Sequence, residues 1–439
     1  MDRENHLKIS LITLGCKTNQ TDAASLAAEL TAGGQEIVSS PKKADAFIVH
    51  TCTVTQKADY QARQAIRRII AKNPEARIIV TGCYAQVSPD VLKEIPGVDF
   101  IVSMGERNQI PDLLQSRKKP KTARILSSET GRLTSFAEER LPLFLDRTRA
   151  YLKVQDGCNS FCSYCIVPLA RGRNRSLPLD RARARARELA SSGFKEIILT
   201  GIHLGTYGED LNPPLFLLDL LQALEREPGI PRIRLSSIEP GELNLPLIDF
   251  LSRAQNVCPH LHIPLQSGDD QILRQMNRNY SQSFFEDRIH RLVQAIPDLA
   301  IGVDLIGGFP GEKEKAFENT YNLIGRLPLA YLHVFPFSRR KGTPAANFPN
   351  PVPPEVIKAR CQALRALGVR KRIDFYRSFL GRRMKVLIES KRDRETALLK
   401  GFSRNYIPVL IDGGEEWIHQ ELEVQIIDVR GEKVFGKLI

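Results

Sequence analysis

Strand patterns and helical patterns alternate along most of this chain, and that alternation limits the folds it can adopt. Between about residues 145 and 375, six apolar runs are each followed by a helical pattern: Ala150 to Val154, Glu196 to Thr200, Arg232 to Leu235, His260 to Leu265, Ala300 to Leu305 and Tyr331 to Phe335. Such repeats favour parallel strands with helical crossovers. Six units fall short of the eight of an ordinary barrel. We therefore expect a partial (βα)6 barrel with its site at the carboxyl ends of the strands.

The first part of the chain, residues 6–118, predicts a smaller α/β domain with a doubly wound parallel sheet. Three of its cysteines, Cys16, Cys52 and Cys83, each follow an apolar run typical of a strand. The carboxyl ends of parallel strands open on one edge of the sheet, so we expect these cysteines to converge. The other interpretation is that all three are small buried core residues.

Composition changes mark the remaining boundaries. A polar stretch that begins near Arg117 and Lys118 predicts a linker over 119–143, before a barrel domain over 144–375. Pro353 and Pro354 predict the start of a helix that runs towards Tyr376. Short alternating strands and turns then predict a small all-β module over 378–439.

Cys158, Cys162 and Cys165 form a C-x3-C-x2-C motif. Three thiolates do not complete the four-ligand shell of a structural zinc, but they suit three irons of a four-iron cluster and leave one iron open. A zinc with a distant fourth ligand and an electron-transfer cluster with a fourth cysteine remain alternatives. Cys258 and Cys361 belong to neither trio and are interpreted as packing residues.

Composition excludes several classes of protein. The 439 residues are 42% hydrophobic and 26% charged, which is ordinary for a globular protein. Neither a membrane-length apolar stretch nor a secretory signal is evident, so we expect a cytoplasmic protein. Reduced thiols in that compartment favour metal binding over disulfides. The net charge of +13 indicates a polyanionic partner, and a generic surplus of charge that favours solubility is the other interpretation.

The Cys158 motif, with Tyr164 before its last cysteine, on a partial barrel resembles the radical S-adenosylmethionine (SAM) enzymes. The segments around Cys16, Cys52 and Cys83, such as Gly15-Cys16-Lys17-Thr18-Asn19, resemble the methylthiotransferases of that superfamily, and the resemblance covers nearly the whole chain. Further segments are similar to the branch that modifies threonylcarbamoyladenosine beside the tRNA anticodon: Arg171-Gly172-Arg173, Gly201-Ile202-His203 and His333-Val334-Phe335-Pro336. Sister branches act on isopentenyladenosine in tRNA or on an aspartate of a ribosomal protein.

The resemblance implies an N-terminal domain with a second cluster, a radical SAM core and a C-terminal RNA-binding TRAM barrel. It implies that Cys158, Cys162 and Cys165 hold a catalytic 4Fe-4S cluster and that Cys16, Cys52 and Cys83 hold another, which delivers sulfur. SAM contacts are implied for residues at or beside the strand ends, although these could be ordinary loop residues: Tyr164, Thr200, Gly201, Ser236, Glu239 and Gln266. The implied partners are the tRNA anticodon arm and an electron donor such as flavodoxin or ferredoxin, and the sulfur donor stays open.

Two basic regions are candidates for RNA contact. The first is an arginine-rich run beside the Cys158 motif, and the second is the first half of the C-terminal module. Such side chains can neutralise phosphates, although a solvated helix face is the other interpretation. The selected residues are Arg171, Arg173, Arg175, Arg382, Arg383, Lys385 and Arg404.

The resemblance thus implies a radical SAM enzyme that inserts sulfur and a methyl group at a C–H bond of N6-threonylcarbamoyladenosine next to the tRNA anticodon. The alternatives within the family are isopentenyladenosine in tRNA and a ribosomal protein aspartate. A non-catalytic RNA-binding iron-sulfur protein that senses redox state is the alternative from another class. A radical SAM enzyme that only methylates or rearranges is a third possibility, but it leaves Cys16, Cys52 and Cys83 without a role.

Overall fold

The computed structural model describes residues 6–39, 44–115, 119–137, 140–141 and 148–439. Arg117, Lys118 and the predicted start of the barrel domain at 144 lie outside the described residues. The strands are, in chain order, β1 (Lys8–Thr13), β2 (Glu36–Ile37), β3 (Ala46–Thr51), β4 (Arg77–Gly82), β5 (Phe100–Val102), β6 (Arg124–Leu126), β7 (Arg149–Lys153), β8 (Gln155–Asp156), β9 (Arg175–Ser176), β10 (Glu196–Thr200), β11 (Ile233–Leu235), β12 (His260–His262), β13 (Ala300–Gly307), β14 (Tyr331–Pro336), β15 (Arg383–Arg392), β16 (Leu399–Ser403), β17 (Pro408–Ile411), β18 (Glu421–Arg430) and β19 (Lys433–Leu438).

The α-helices are, in the same order, α1 (Lys17–Ala32), α2 (Gln56–Lys72), α3 (Cys83–Val87), α4 (Pro89–Lys93), α5 (Ile110–Gln115), α6 (Val167–Arg171), α7 (Leu179–Ser191), α8 (Leu217–Glu225), α9 (Leu245–Arg253), α10 (Asp270–Gln275), α11 (Gln282–Ala295), α12 (Glu314–Arg326) and α13 (Pro354–Arg377). Short 3-10 turns lie at Met104–Gln109, Thr130–Arg132, Leu204–Thr206, Pro240–Glu242, Pro344–Asn347 and Glu415–Trp417.

The chain divides into two compact units. The first contains residues 1–144, 155–176 and 338–346, and the second contains 145–154, 177–337 and 347–439. The loop that carries Cys158, Cys162 and Cys165 therefore groups with the N-terminal sheet, although the sequence placed it in the barrel domain. The predicted domain boundaries themselves stay a prediction.

The first unit is built on a six-stranded parallel sheet in the order β2-β1-β3-β4-β5-β6. Its central strands β3 and β4 are fully buried, because their continuous apolar runs are covered on both faces. The prediction of a parallel α/β sheet is confirmed. The predicted linker contains β6, which extends this sheet, and a strand of only three residues has too little periodicity to be predicted.

The second unit contains six parallel strands in two groups, β11-β10-β7 and β12-β13-β14. A parallel bridge between Ser237 and His262 joins the groups. Each of the six predicted βα repeats is present, which confirms the partial barrel. The helix expected after Pro353 is α13, and it leads into a closed barrel in the order β15-β16-β17-β19-β18. This confirms the predicted C-terminal β module.

Candidate cysteine-based active site

Cys16, Cys52 and Cys83 lie at the carboxyl ends of β1, β3 and β4, which are neighbours in the sheet. The Sγ atoms of Cys16 and Cys83 each lie 3.8 Å from Oδ1 of Asn19. Cys52 is buried beside Gly15, where an added Cβ would stand 3.1 Å from its Sγ atom. The structure therefore brings these three cysteines to one edge of the sheet, as the sequence predicted.

Two glycines make this approach possible. Gly15 and Gly82 have φ values of +115° and +95°, which side chains rarely adopt. A Cβ on Gly15 would lie 2.6 Å from that of Cys52, and one on Gly82 would lie 2.4 Å from the carbonyl oxygen of Thr51. The backbone next to Cys16 and Cys83 consequently requires glycine.

Burial makes two of these thiols, Cys52 and Cys83, poorer acids than an exposed cysteine. It raises the pKa of Cys83 to about 12, and it also raises the pKa of Cys52. The nearby Arg171 guanidinium opposes both shifts. Because iron binds thiolates, iron binding by Cys52 and Cys83 would require these two thiols to release their protons.

The second trio occupies the loop between β8 and α6. A short β8–β9 hairpin closes the base of this loop, and the Cys158 N–H donates to Gly172 O at 3.0 Å. The Cys165 N–H donates to Cys162 O at 2.9 Å, which makes a tight turn within the motif. None of the eight cysteines, all of which lie among the described residues, forms a disulfide, so neither trio is committed to an S–S bond.

The predicted SAM residues of the second unit lie at or after strand ends. Thr200 ends β10, Gly201 follows it, and Ser236 follows β11. The Thr200 and Ser236 hydroxyls are buried, and neither has a hydrogen-bond partner among the described residues. Buried polar atoms are normally paired, so these two suit a polar ligand.

The other predicted SAM residues are more constrained. Glu239 pairs with Arg278, and burial raises the pKa of the Glu239 carboxyl although Arg278 opposes the shift. Gln266 has a φ of +66°, and its N–H donates to Asp304 O at 2.8 Å. Tyr164, in the first unit, is half-buried. Their roles towards SAM stay predictions.

Two of the predicted RNA-binding arginines are not exposed. Arg171 and Arg175 are only 1% and 5% exposed. Arg171 pairs with Asp22 and Asp156, and Arg175 donates to Arg173 O at 2.7 Å. Phosphate contact by these two side chains was therefore a wrong expectation, because burial withdraws their guanidiniums from solvent. Arg173 is exposed, with its guanidinium 4.8 Å from the centre of the Phe161 ring.

The four predicted RNA residues of the C-terminal barrel differ in their surroundings. Arg383 and Lys385 are exposed on β15. Arg382 is also exposed but donates to both carboxylate oxygens of Asp298, at 2.7 and 2.6 Å. Arg404 is held by Glu421 and by the carbonyl oxygen of Gln255. Arg383 and Lys385 are therefore better placed for a phosphate than Arg404.

The sequence patterns did not single out His262 and Asp304, which lie with His333 on β12, β13 and β14. Their potential ligand atoms lie within 4.8 Å of one another. Hydrogen bonds already engage them: Nε2 of His262 lies 2.8 Å from Asp304, and its Nδ1 lies 3.2 Å from the Tyr331 hydroxyl. This network is satisfied without a metal, so it does not indicate a third metal site.

Comparison with known proteins identifies the family. Residues 8–103 match a family described as "Uncharacterized protein family UPF0004", and residues 152–324 match the Radical SAM superfamily. A threonylcarbamoyladenosine tRNA methylthiotransferase, MtaB, of Bacillus subtilis is 38% identical over 421 residues, which are 95% of this chain and 93% of that protein. The chain belongs to the radical SAM methylthiotransferase family.

Other methylthiotransferases match over similar lengths. The MtaB protein of Aquifex aeolicus is 35% identical over 93% of this chain and 98% of its own. A tRNA-2-methylthio-N(6)-dimethylallyladenosine synthase of Caldicellulosiruptor saccharolyticus is 34% identical over 98% of this chain and 92% of its own. Both branches therefore lie at comparable distance from this methylthiotransferase.

Solved structures support the fold. The radical SAM methyltransferase TsrM of Kitasatospora setae aligns with a TM-score of 0.58 at 15% identity, over 78% of this chain and 74% of that one.

Membership of the radical SAM superfamily implies a 4Fe-4S cluster and SAM in this methylthiotransferase. Cys158, Cys162 and Cys165 fit that cluster, and the unpaired Thr200 and Ser236 hydroxyls fit a polar cofactor. Among the described helices, none has the length and apolar character needed to cross a membrane.

Proposed function

We propose that this enzyme inserts sulfur and a methyl group at a C–H bond of N6-threonylcarbamoyladenosine next to the tRNA anticodon. The observation that carries the proposal is the convergence of Cys16, Cys52 and Cys83 at one sheet edge, in the same unit as the Cys158 motif. A radical SAM enzyme that only methylates would have no use for this second site. Five relatives named for this substrate, 33–38% identical to the chain, support the choice of base.

The N-terminal site fits a second 4Fe-4S cluster. It offers three thiols, and three thiolates leave one iron open for a sulfur ligand. Asn19 holds the two strand ends together, since its Nδ2 donates to Leu14 O at 2.8 Å and to Thr51 O at 3.1 Å. Asn19 thus fixes the backbone that carries Cys16 and Cys52 before any metal binds.

An unactivated C–H bond has no polar handle, so the cofactors supply the radical and sulfur chemistry when they are bound. The protein's part is to hold and orient. Cys158, Cys162 and Cys165 would hold the catalytic cluster, and the loop that carries them is closed by the β8–β9 hairpin. Thr200 and Ser236, whose hydroxyls have no partner among the described residues, would offer them to the polar part of SAM.

The proposed partners follow from charge and chemistry. The exposed cations of β15, Arg383 and Lys385, would contact phosphates of the anticodon arm and position the tRNA without reading its sequence. An electron donor such as flavodoxin or ferredoxin would reduce the catalytic cluster. We propose a cytoplasmic location, where tRNA and these donors occur, and the sulfur source stays open.

A second candidate substrate is isopentenyladenosine in tRNA. The dimethylallyladenosine synthase of Caldicellulosiruptor saccharolyticus is 34% identical over 98% of the chain, nearly as similar as the MtaB proteins. Both reactions need the same two cysteine sites, so the site geometry does not separate these substrates. Mass spectrometry of the modified tRNA nucleosides distinguishes them.

The test is mass spectrometry of tRNA nucleosides from cells that lack the gene and from complemented cells. Methylthio-threonylcarbamoyladenosine should disappear without the gene and return with the wild-type chain, but not with Cys16→Ala or Cys158→Ala. Cys361→Ala, which changes a buried cysteine outside both trios, should restore the product. Loss of a different methylthio nucleoside would contradict the substrate. Absence of SAM cleavage by the reduced, purified protein would instead favour a non-catalytic redox sensor.

A further inference from the structure

Arg171 lies at the end of α6 and is one of the largest fully buried side chains in the described part of the protein. Its Nη1 donates to both carboxylate oxygens of Asp156, at 3.0 and 3.1 Å. Its Nη2 donates to Asn19 Oδ1 at 2.6 Å and to Asp22 Oδ2 at 2.8 Å. One guanidinium thus contacts the helix after Cys16 and the strand before Cys158.

Asn19 places this guanidinium close to the N-terminal thiols. The oxygen that accepts from Arg171 is the same Oδ1 that lies 3.8 Å from the sulfurs of Cys16 and Cys83. In the metal-free protein, the thiols can donate to that oxygen. Once they become thiolates, an amide oxygen facing them is unfavourable unless a nearby cation offsets the negative charges. Arg171 is the buried cation in that position.

Several other charged side chains surround Arg171 and its two carboxylate partners. Asp22 is buried, pairs with Arg171, and also lies 3.6 Å from Arg107 and 3.7 Å from the His50 ring. Asp156 is the second carboxylate, and Arg175 lies 3.9 Å from it. Removing Arg171 would take away the nearest cation of both buried carboxylates, at 2.8 Å from Asp22 and 3.0 Å from Asp156, and leave the more distant arginines.

We propose that Arg171 is a positioning residue that sets the reduction potential of the cluster at Cys16, Cys52 and Cys83. This inference rests on the proposed function, because it assumes that those cysteines hold a cluster. The positive charge favours the reduced, more negative cluster, and the bonds to Asp156 and Asn19 keep the guanidinium in place. The same bonds fix the Cys158 loop to the N-terminal site, since Asp156 also accepts from the Gly157 N–H at 2.8 Å.

Opposite charge changes should move the potential in opposite directions. Arg171→Met removes the cation and should make the N-terminal cluster harder to reduce. Asp22→Asn removes an anion that contacts the same guanidinium, keeps an oxygen acceptor for it, and should make the cluster easier to reduce. Loss of structure alone would not produce shifts of opposite sign.

The experiment uses the full-length chain with Cys158, Cys162 and Cys165 changed to alanine, so that only the N-terminal site can hold a cluster. Iron and sulfide content show whether the cluster is present, and a redox titration followed by electron paramagnetic resonance gives its potential. We expect at least a tenfold change in the ratio of reduced to oxidised cluster at fixed poise, about 59 mV for a one-electron couple. Arg171→Lys, which keeps the positive charge, should have a reduction potential close to that of the wild-type site.

Arg77→Met is the matched control. Arg77 is also buried in the first unit, but it begins β4 and donates to the carbonyl oxygens of Leu113 and Leu114. It stands at the other end of the strand from Cys83, on the order of 20 Å away at about 3.3 Å per residue. Its removal should leave the potential unchanged.

The results separate the two proposals. If the triple-alanine chain holds no cluster, the proposed second site is wrong and this inference fails with it. If it holds a cluster whose potential stays constant, or moves the same way, in Arg171→Met and Asp22→Asn, the inference alone is overturned. Should Arg171→Met fail to hold a cluster, Asp22→Asn decides, because a raised potential supports the role of charge and an unchanged one contradicts it.

Discussion

Asn19 and Cys83 are 64 residues apart in the chain, yet Oδ1 of Asn19 lies 3.8 Å from Sγ of Cys83. The Asn19 side-chain amide is fixed by two strand ends, because its Nδ2 donates to the carbonyl oxygens of Leu14 and Thr51. A single side chain therefore links the backbone that precedes Cys16, the backbone that precedes Cys52, and the thiol of Cys83.

This linkage predicts that Asn19 is needed for metal loading at the N-terminal site. Asn19→Ala should lower the iron content of that site, and Asn19→Asp should lower it further, because a carboxylate cannot donate to the two carbonyls and repels thiolates. Iron and sulfide per chain after anaerobic reconstitution measure the effect. Asn73→Ala, which removes a hydrogen bond to Ile69 O at the end of α2, is the control. Equal iron content in all three variants would contradict the prediction.

The convergence of Cys16, Cys52 and Cys83 could be predicted from the sequence, because parallel strands end on one sheet edge and each cysteine follows a strand. The environment of Arg171 could not. It stands in an arginine-rich run whose helical apolar stripe begins only at Leu179, and its partners Asn19 and Asp22 are about 150 residues away. Contacts of that range leave no periodic signal. The sequence does place Asn19 three residues after Cys16, about one helical turn away, which indicates that this side chain lies near the N-terminal cysteines.

Glu196 predicts a specific acid sensitivity of the second unit. It is fully buried and accepts from Arg234 at 2.8 and 2.9 Å, with Arg232 2.8 Å away. Burial alone would raise the pKa of the Glu196 carboxyl, but the arginines outweigh it and lower the pKa from 4.5 to about 2. The ionised Glu196 carboxylate therefore contributes its full stabilisation above pH 4.5. This contribution to the free energy of unfolding, about 3 kcal/mol, is lost as the pH falls towards 2.

Glu196→Gln should remove this acid dependence. The variant should be less stable at pH 7 by about 3–5 kcal/mol, because it takes from the buried Arg234 guanidinium the carboxylate with which it pairs. Its thermal midpoint should then fall less than that of the wild type between pH 5 and pH 3. Glu286→Gln is the control, since Glu286 pairs with Arg326 near the surface, where an ion pair contributes at most about 1 kcal/mol. Parallel midpoint curves for wild type and Glu196→Gln would contradict the prediction.

The exposed cations of β15 predict a salt-dependent contact with tRNA. Arg383→Ala with Lys385→Ala should weaken binding of an anticodon stem-loop and reduce the slope of log K against log salt by roughly 1.5 to 2, which corresponds to two lost phosphate contacts. Fluorescence anisotropy at several salt concentrations measures both. Arg382→Ala should change the slope less, since Asp298 already engages that guanidinium. An unchanged slope in the double variant would place the RNA contact elsewhere.

Substitutions at Thr200 and Ser236 should weaken SAM binding without lowering the thermal stability of the protein. Their buried hydroxyls lack partners among the described residues, so Thr200→Val and Ser236→Ala should leave the thermal midpoint unchanged or slightly raised. If SAM supplies the missing partners, each variant should bind SAM about tenfold more weakly, the value of one hydrogen bond of roughly 1.4 kcal/mol.

Thr320→Val is the matched control for this pair. The Thr320 hydroxyl donates to Ala316 O at 3.1 Å and accepts from the Gly268 N–H at 2.9 Å, so its loss should lower the midpoint and leave SAM affinity intact. Anaerobic equilibrium dialysis and thermal unfolding provide the two readouts. A fall in stability without a change in SAM affinity for Thr200→Val would show that the hydroxyl serves the fold, and the proposed role of Thr200 in binding the cofactor would be wrong.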